Sequence, residues 1–184
     1  MCWEFAWSFH FDTLTSEQLQ FHSFEERRAD MTFSTRYHNL ASSILAISEG
    51  ETDEISLMAT MACELFHGFD HFDWVGFYRN VGDETLKIGP YQGGHGCLVI
   101  PFGRGVCGAC AKSETTVIVP DVDAFADHIA CSSSTKSEIV LPVFNKAGEL
   151  LAVLDIDSDR LDAFDEEDRE NLEALLGQVF STAT

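Results

Sequence analysis

The chain has 184 residues, 45% of them hydrophobic, so it can form one sizeable core but not two full domains. It carries 31 acidic and 11 basic residues, a formal charge of -20, which argues against binding to nucleic acid or an anionic membrane. Every apolar run is shorter than the roughly 20 residues of a membrane-spanning helix, so no membrane association is expected.

The first part of the chain differs from the rest in being aromatic-rich and then acidic. A new helical pattern begins near Met31, so we assign residues 1–30 to an N-terminal extension and residues 31–184 to the domain. The extension has no basic start and contains Glu4 and Asp12. These features argue against a secretory signal or a mitochondrial presequence, and the expected location is cytoplasmic.

Two amphipathic helices are predicted next, since apolar residues recur at steps of three and four. The first covers residues 33–48 and ends at Gly50. The second has Thr52 as its N-cap and ends at His67-Gly68. The two apolar stripes consist of Tyr37, Leu40, Ile44 and Ile47, and of Ile55, Met58, Ala62 and Leu65.

The middle of the chain changes to patterns typical of strands. Asn145-Lys146-Ala147-Gly148 is a hairpin turn signal, and an apolar helix follows the acidic cap at 165–168. Together these elements predict an α+β domain in which N- and C-terminal helices pack on an antiparallel sheet of about six strands. The predicted elements are strands at 74–78, 86–88, 98–101, 116–119, 139–143 and 150–156, with a short helix at 106–112.

The six cysteines are the main candidates for chemistry, because structural disulfides are rare in a reducing compartment. Cys63 lies on or beside the apolar stripe of the second helix and is expected to be an inert core residue, while Cys2 is incidental. The other four lie in segments rich in glycine and polar residues, which favours function. They are Cys97, Cys107, Cys110 and Cys131.

Cys107 and Cys110 form a Cys-x-x-Cys pair, which is compatible with a redox dithiol, half a zinc site, or one helical turn that carries two cysteines. Zinc needs two further ligands, and His95 with Cys97 is only a weak candidate. A thioredoxin-like pair would follow a first βα unit, whereas the preceding segments are predicted to be antiparallel.

Cys131 lies in a polar loop, with His128 three residues before it and serines after it. A thiolate in so acidic a chain needs local compensation, which His128 or backbone N–H groups of the Ser-rich stretch can supply. These surroundings are those of a reactive thiol, and an incidental loop cysteine is the alternative.

Three carboxylates are expected to converge. Asp155 and Asp157 end a predicted strand two residues apart, so their side chains share a face. Glu138 opens the partner strand, and hairpin pairing brings it near them. Converging acids indicate a metal ion, a ligand ammonium group or a carboxyl that keeps its proton as a general acid. Solvated acids at a strand end are the alternative.

Six segments, in order and with compatible spacing, carry a resemblance to a known family. Through them the chain resembles the free methionine-(R)-sulfoxide reductases, a catalytic branch of the GAF domain superfamily, which implies a single GAF domain. The flanking helices also fit that fold. The segments are Trp74–Tyr78, Gly89–Gly93, Ile100–Gly108, His128–Cys131, Ser137–Pro142 and Val153–Ser158.

The resemblance implies roles for the cysteines. Cys131 matches the nucleophile that takes oxygen from the sulfoxide and becomes a sulfenic acid. Cys97 matches the residue that resolves it as an intramolecular disulfide, and Cys107 matches a third cysteine that assists exchange. Thioredoxin, kept reduced by NADPH and thioredoxin reductase, is the implied external reductant, and no bound cofactor or metal is expected. Cys110 stands outside the family pattern, which leaves the route of reducing equivalents open.

The resemblance also implies a substrate pocket. Trp74 and Tyr78 would enclose the methyl-sulfoxide side chain, and Glu138, Asp155 and Asp157 would hold the ammonium group, one of them protonated as the acid. Such a closed pocket accepts the free amino acid and excludes methionine within a polypeptide. Because such proteins are often dimers, a homodimer is an expectation.

Two other functions stay open from the sequence. GAF domains in general bind small ligands without catalysis, so a noncatalytic sensor is one alternative. A structural zinc protein built on Cys107 and Cys110 is the other. Metal content and turnover of free methionine sulfoxide separate the three hypotheses.

Overall fold

The computed structural model describes residues 35–125 and 133–182. The proposed N-terminal extension, residues 1–30, lies outside these ranges, so its boundary stays a prediction. The elements are α1 (35–47), α2 (Glu54–Gly68), β1 (Trp74–Asn80), β2 (Thr85–Gln92), β3 (Val99–Pro101), α3 (Gly105–Ser113), β4 (Val117–Val119), β5 (Ser137–Phe144), β6 (Leu150–Ser158) and α4 (Glu166–Val179), with short 3-10 turns at Val122–Ala124 and Phe180–Thr182.

The described strands form one antiparallel sheet in the order β3-β2-β1-β6-β5-β4. This confirms the predicted α+β class with an antiparallel sheet of about six strands. The hairpin predicted at residues 145–148 connects β5 to β6, whose paired residues run from Ser137↔Ser158 to Phe144↔Leu150. The sheet therefore consists of two three-stranded halves joined by the pairing of β1 with β6.

The two faces of the sheet have different partners, because successive side chains of a strand point to opposite sides. Helices α2 and α4 pack on one face, where the buried residues are apolar. The other face carries α3 and a second cluster that contains Trp74, Tyr78, Val140 and Val153. By the same alternation Glu138, Asp155 and Asp157 lie on the α3 face.

Helix α2 begins one residue later than predicted. Asp53, not Thr52, is its N-cap, and the Asp53 carboxylate accepts a hydrogen bond from the backbone N–H of Ser56 at 2.8 Å. Its buried stripe runs from Leu57 to Leu65, whereas Ile55 is 41% exposed in the first turn. Within the described ranges no helix combines the length and the apolar character needed to cross a bilayer.

Helix α4 is tied to α1 by a buried carboxylate. Asp165 caps α4 by accepting from the backbone N–H groups of Glu167 and Asp168, and the Asp168 side chain accepts from the Asp165 N–H in return. The hydroxyl of Tyr37 donates to Oδ1 of Asp168 at 2.7 Å. Burial raises the pKa of Asp168, and these two hydrogen bonds oppose that rise by stabilising the charged form.

Candidate active site

Strand register assembles the site on the α3 face. Asp157 on β6 pairs with Trp74 on β1 and with Glu138 on β5, so these three side chains form one row across the central strands. Two residues along β6, Asp155 pairs with Gly76 and Val140. Because directly opposed residues on one face are neighbours, the register alone brings together the three carboxylates singled out in the sequence.

Helix α3 adds a thiol to this group of acids. The Cys107 thiol donates to Oε1 of Glu138, with Sγ 3.9 Å from the oxygen. One potential ligand atom from each of Cys107, Glu138 and Asp155 lies within 4.8 Å of the others. These side chains are 4%, 5% and 5% exposed, respectively. We call Cys107, Glu138 and Asp155 the buried cluster.

Within the buried cluster Asp155 holds an open acceptor. The Cys107 thiol and the Glu138 side chain both make hydrogen bonds to the Asp155 carboxyl. Its Oδ1 atom is buried and has no hydrogen-bond partner among the described residues. A buried oxygen without a donor is unfavourable unless a ligand or ion satisfies it.

Burial and mutual repulsion keep protons on the site acids. Burial, followed by the charges of Asp155 and Asp157, raises the pKa of Glu138 well above its ordinary range. The pKa of Asp157 is also raised well above its ordinary range, first by burial and then by the charges of Asp155, Asp159 and Asp73. Burial raises the pKa of Asp155 only to about 6, because Cys107 and Glu138 donate to its charged form. The fully ionised state of the three acids is therefore disfavoured, and Asp155 is the one whose charged form both neighbouring side chains favour.

Both cysteines of the Cys-x-x-Cys pair are free thiols. Burial, followed by the charges of Asp155 and Glu138, raises the pKa of the Cys107 thiol and of the Cys110 thiol. Each therefore holds its proton firmly in this state. Neither has the lowered pKa of an activated nucleophile.

The aromatic side of the site is a stack of three rings. Trp74 lies between Tyr78 and Tyr91, with ring centroids 5.9 Å and 5.5 Å away and interplanar angles of 24° and 17°. A Cβ added at Gly76 would collide with the Trp74 indole, so glycine lets that ring lie over the sheet. Tyr91 was not predicted, because only the β1–β2 register, which shifts between Gly76 and Tyr78, places it there.

The same aromatic residues fix the loop that carries Cys97. Nε1 of Trp74 donates to the carbonyl of Gly94 at 3.1 Å, and the Tyr78 hydroxyl accepts from the backbone N–H of Cys97. Gly96 packs so closely that a Cβ there would lie 2.9 Å from the Tyr78 hydroxyl. The two predicted wall residues are thus also hydrogen-bonding anchors of this loop.

Cys97 is disulfide-bonded in the structure. The described cysteines Cys63, Cys107 and Cys110 are free, so none of them is its partner. Cys131 lies outside the described residues. Cys63, expected in the core, is only half buried on α2, with Sγ 3.8 Å from Nδ1 of His67.

A cleft of about 470 Å³ opens beside the site. Trp74 and Asp157 line it, so it reaches the row of side chains on the α3 face, whereas no member of the buried cluster is among its lining residues. Asp73, to which no sequence pattern points, flanks β1, and its carboxylate accepts from the backbone N–H of Asp159 at 2.7 Å. The full lining is Asp73, Trp74, Gly94, His95, Ser133, Ser134, Thr135, Asp157 and Asp159.

The fold and the site together define a small α+β domain with a ligand cleft on one face of its sheet. Residues 52–181 match the GAF domain family, and the chain belongs to that family.

Individual relatives agree with the resemblance found in the sequence. GAF domain-containing protein A of Dictyostelium discoideum is 45% identical over 141 residues, which are 77% of this chain and 88% of that protein. Free methionine-R-sulfoxide reductase of Saccharomyces cerevisiae is 39% identical over 135 residues, 70% of this chain and 75% of that protein. The X-ray structure of free methionine-R-sulfoxide reductase from Neisseria meningitidis in complex with its substrate superposes with a TM-score of 0.75 at 42% identity, covering 79% of this chain and 87% of that one.

Proposed function

We propose that the chain reduces free methionine-(R)-sulfoxide to methionine with cysteine thiols as its redox groups. The observation that carries the proposal is the disulfide-bonded Cys97, held by two aromatic residues beside an acid-lined cleft. Relatives that are reductases of this substrate, one of them 42% identical over most of both chains, support it.

Substrate binding in this proposal uses the difference between the acids. Asp155, the anionic member with an open Oδ1 atom, accepts the ammonium group of the amino acid. The ring stack beside it supplies an apolar wall for the methyl-sulfoxide end. A methionine sulfoxide residue within a polypeptide has no such ammonium group, because its nitrogen is part of a peptide bond. The pocket therefore selects free substrate over methionine sulfoxide in a polypeptide.

The chemical step transfers oxygen from the substrate to a cysteine. The Cys131 thiolate attacks the sulfoxide sulfur, and protonated Glu138 or Asp157 gives a proton to the sulfoxide oxygen. The hydroxyl then moves from the substrate sulfur to the cysteine sulfur as the new S–S bond breaks. The products are methionine, reduced by two electrons, and a sulfenic acid on Cys131. Ser133, which lines the cleft, follows Cys131 by two positions in the sequence.

Recycling returns the enzyme to its thiol form. The Cys97 thiol attacks the sulfenic sulfur, water leaves, and a disulfide joins Cys97 to Cys131. An external dithiol of the thioredoxin type then reduces this disulfide, with Cys107 as an exchange partner. The cycle requires a reducing compartment such as the cytoplasm.

The decisive experiment is a thioredoxin-coupled assay with four substrates: free and peptide-bound methionine sulfoxide, each as the R and the S epimer. We expect turnover of the free R form alone. Cys131→Ser should abolish it, Cys97→Ser should slow recycling, and the matched control Cys63→Ser should keep full activity. Full turnover by Cys131→Ser would disprove the mechanism. Tight reversible binding without turnover by the unaltered chain would instead support a noncatalytic sensor.

A further inference from the structure

We propose that the buried cluster of Cys107, Glu138 and Asp155 is a binding site for a thiophilic divalent cation, Zn²⁺, with one coordination position left open. The site stands on its own donor geometry and does not depend on the proposed reductase activity.

The donor set fits zinc in type and in number. Zinc in proteins takes thiolate, imidazole and carboxylate ligands, usually four in a tetrahedron, and sites with three protein ligands leave the fourth position to water or another small molecule. The buried cluster supplies one sulfur and two carboxylates whose ligand atoms are all within 4.8 Å of one another. Tetrahedral bonds of about 2.3 Å to sulfur and 2.0 Å to oxygen place those atoms roughly 3.5 Å apart. The present 3.9 Å between Cys107 Sγ and Glu138 Oε1 is close to that spacing.

A second observation, an unpartnered carboxylate oxygen, also favours a bound cation. Oδ1 of Asp155 is buried and has no hydrogen-bond partner among the described residues, although the residue is only 5% exposed. A metal ion bound there would coordinate this oxygen and remove the desolvation cost of an unpaired acceptor. One of the three donor residues thus keeps a buried acceptor that is free to bind a cation.

Electrostatics and rigidity also favour a cation. Because two carboxylates and a thiol share one buried cluster, a divalent ion would offset the repulsion between their anionic forms. Cys107 lies in the first turn of α3, and the two acids lie within β5 and β6, so regular elements hold all three donors.

A competing thiol site must be removed before the test. On α2, Cys63 Sγ lies 3.8 Å from His67 Nδ1, a two-ligand pair at the helix surface that can itself bind zinc. The experiment therefore uses the full chain with Cys2→Ser and Cys63→Ser, purified with the Cys97 disulfide intact. In that background the free thiols among the described residues are those of Cys107 and Cys110.

Zn²⁺ binding is measured by equilibrium dialysis, and Cd²⁺ titration reports thiolate ligation through its ultraviolet charge-transfer band. We expect one equivalent of metal with a thiolate band in the background protein. Cys107→Ala should remove the band and weaken binding by more than about tenfold, and Asp155→Asn should weaken it by a similar factor. Cys110→Ala is the matched control and should keep both the stoichiometry and the band.

Retention of the band in Cys107→Ala, its loss in Cys110→Ala, or no stoichiometric binding in the background would each overturn the proposal. Circular dichroism verifies that every variant is folded, and one equivalent of Zn²⁺ should raise the unfolding temperature of the background but not that of Cys107→Ala. Because no sulfoxide is present, a failed metal site leaves the proposed activity untouched. If both proposals hold, Zn²⁺ competes with substrate for Asp155.

Discussion

Two buried aspartates, Asp168 beside helix α1 and Asp155 on the α3 face, are 2% and 5% exposed, yet their surroundings differ. Asp168 accepts the Tyr37 hydroxyl on one oxygen and the Asp165 N–H on the other. Asp155 keeps one oxygen without a partner among the described residues. The first carboxylate holds two helices together, whereas the second is open to a ligand. The helix layer is thus built for stability, and the α3 face tolerates a local cost where binding is expected.

The largest expected effect is on the apolar face of β6, one residue away from Asp155. Leu154→Ala deletes a fully buried side chain and should lower the free energy of unfolding by about 3 kcal/mol. Urea denaturation measures this loss, which should be the same at pH 5 and pH 8 because no titrating group is changed. A loss that varied strongly with pH would show that the two faces are coupled.

Asp155→Asn should raise the free energy of unfolding instead of lowering it. The folded state raises the pKa of Asp155 from 3.8 to about 6, so the folded chain holds a proton that the unfolded chain has already released. The favourable contribution of the protonated form is present below pH 4 and is lost as the pH rises through 6. The amide cannot ionise, so the variant should gain up to about 3 kcal/mol at pH 8 relative to the unaltered chain, and less at pH 5. Urea denaturation at both pH values is the measurement, and an equal gain at the two would contradict the assignment.

Tyr37→Phe should produce the smallest change. It removes the donor to Oδ1 of Asp168 and leaves a buried carboxylate oxygen with one partner fewer, at a cost of about 1 kcal/mol. Since the lost hydrogen bond favours the charged form of Asp168, the destabilisation should be larger at pH 8 than at pH 5. Thermal unfolding at the two pH values tests this. An unchanged unfolding temperature would contradict the expected loss and mean that water replaces the Tyr37 hydroxyl.

Much of the fold was predictable because its elements are regular. The hairpin signal at residues 145–148 fixed the pairing of β5 with β6, and that pairing placed Glu138 opposite Asp157. Tyr91 was not predicted because only the shifted β1–β2 register brings it to the site. Asp73 was not predicted because its place depends on a contact between the residue before β1 and the residue after β6. No local pattern encodes either feature. The contact of Cys107 with Glu138 depends in the same way on how α3 packs against the sheet.

The start of α2 shows how precisely a helix boundary can be predicted from sequence, because Asp53 and not Thr52 is the N-cap. Both side chains can cap a helix, and the decision rests on which residue keeps an extended backbone. Asp53 has ψ of 115°, and its carboxylate reaches the Ser56 N–H. Such one-residue shifts leave the helix and its packing face unchanged.

The strand order β3-β2-β1-β6-β5-β4 also has a consequence for biosynthesis. The inner edge of β1 finds its partner only when β6, the last strand to leave the ribosome, is available. Until then, an apolar strand with unpaired backbone groups is exposed in the nascent chain, a state prone to aggregation and suited to chaperone binding. The long-range pairing of β1 with β6 is therefore expected to limit the folding rate. The same step brings together the two sides of the cleft.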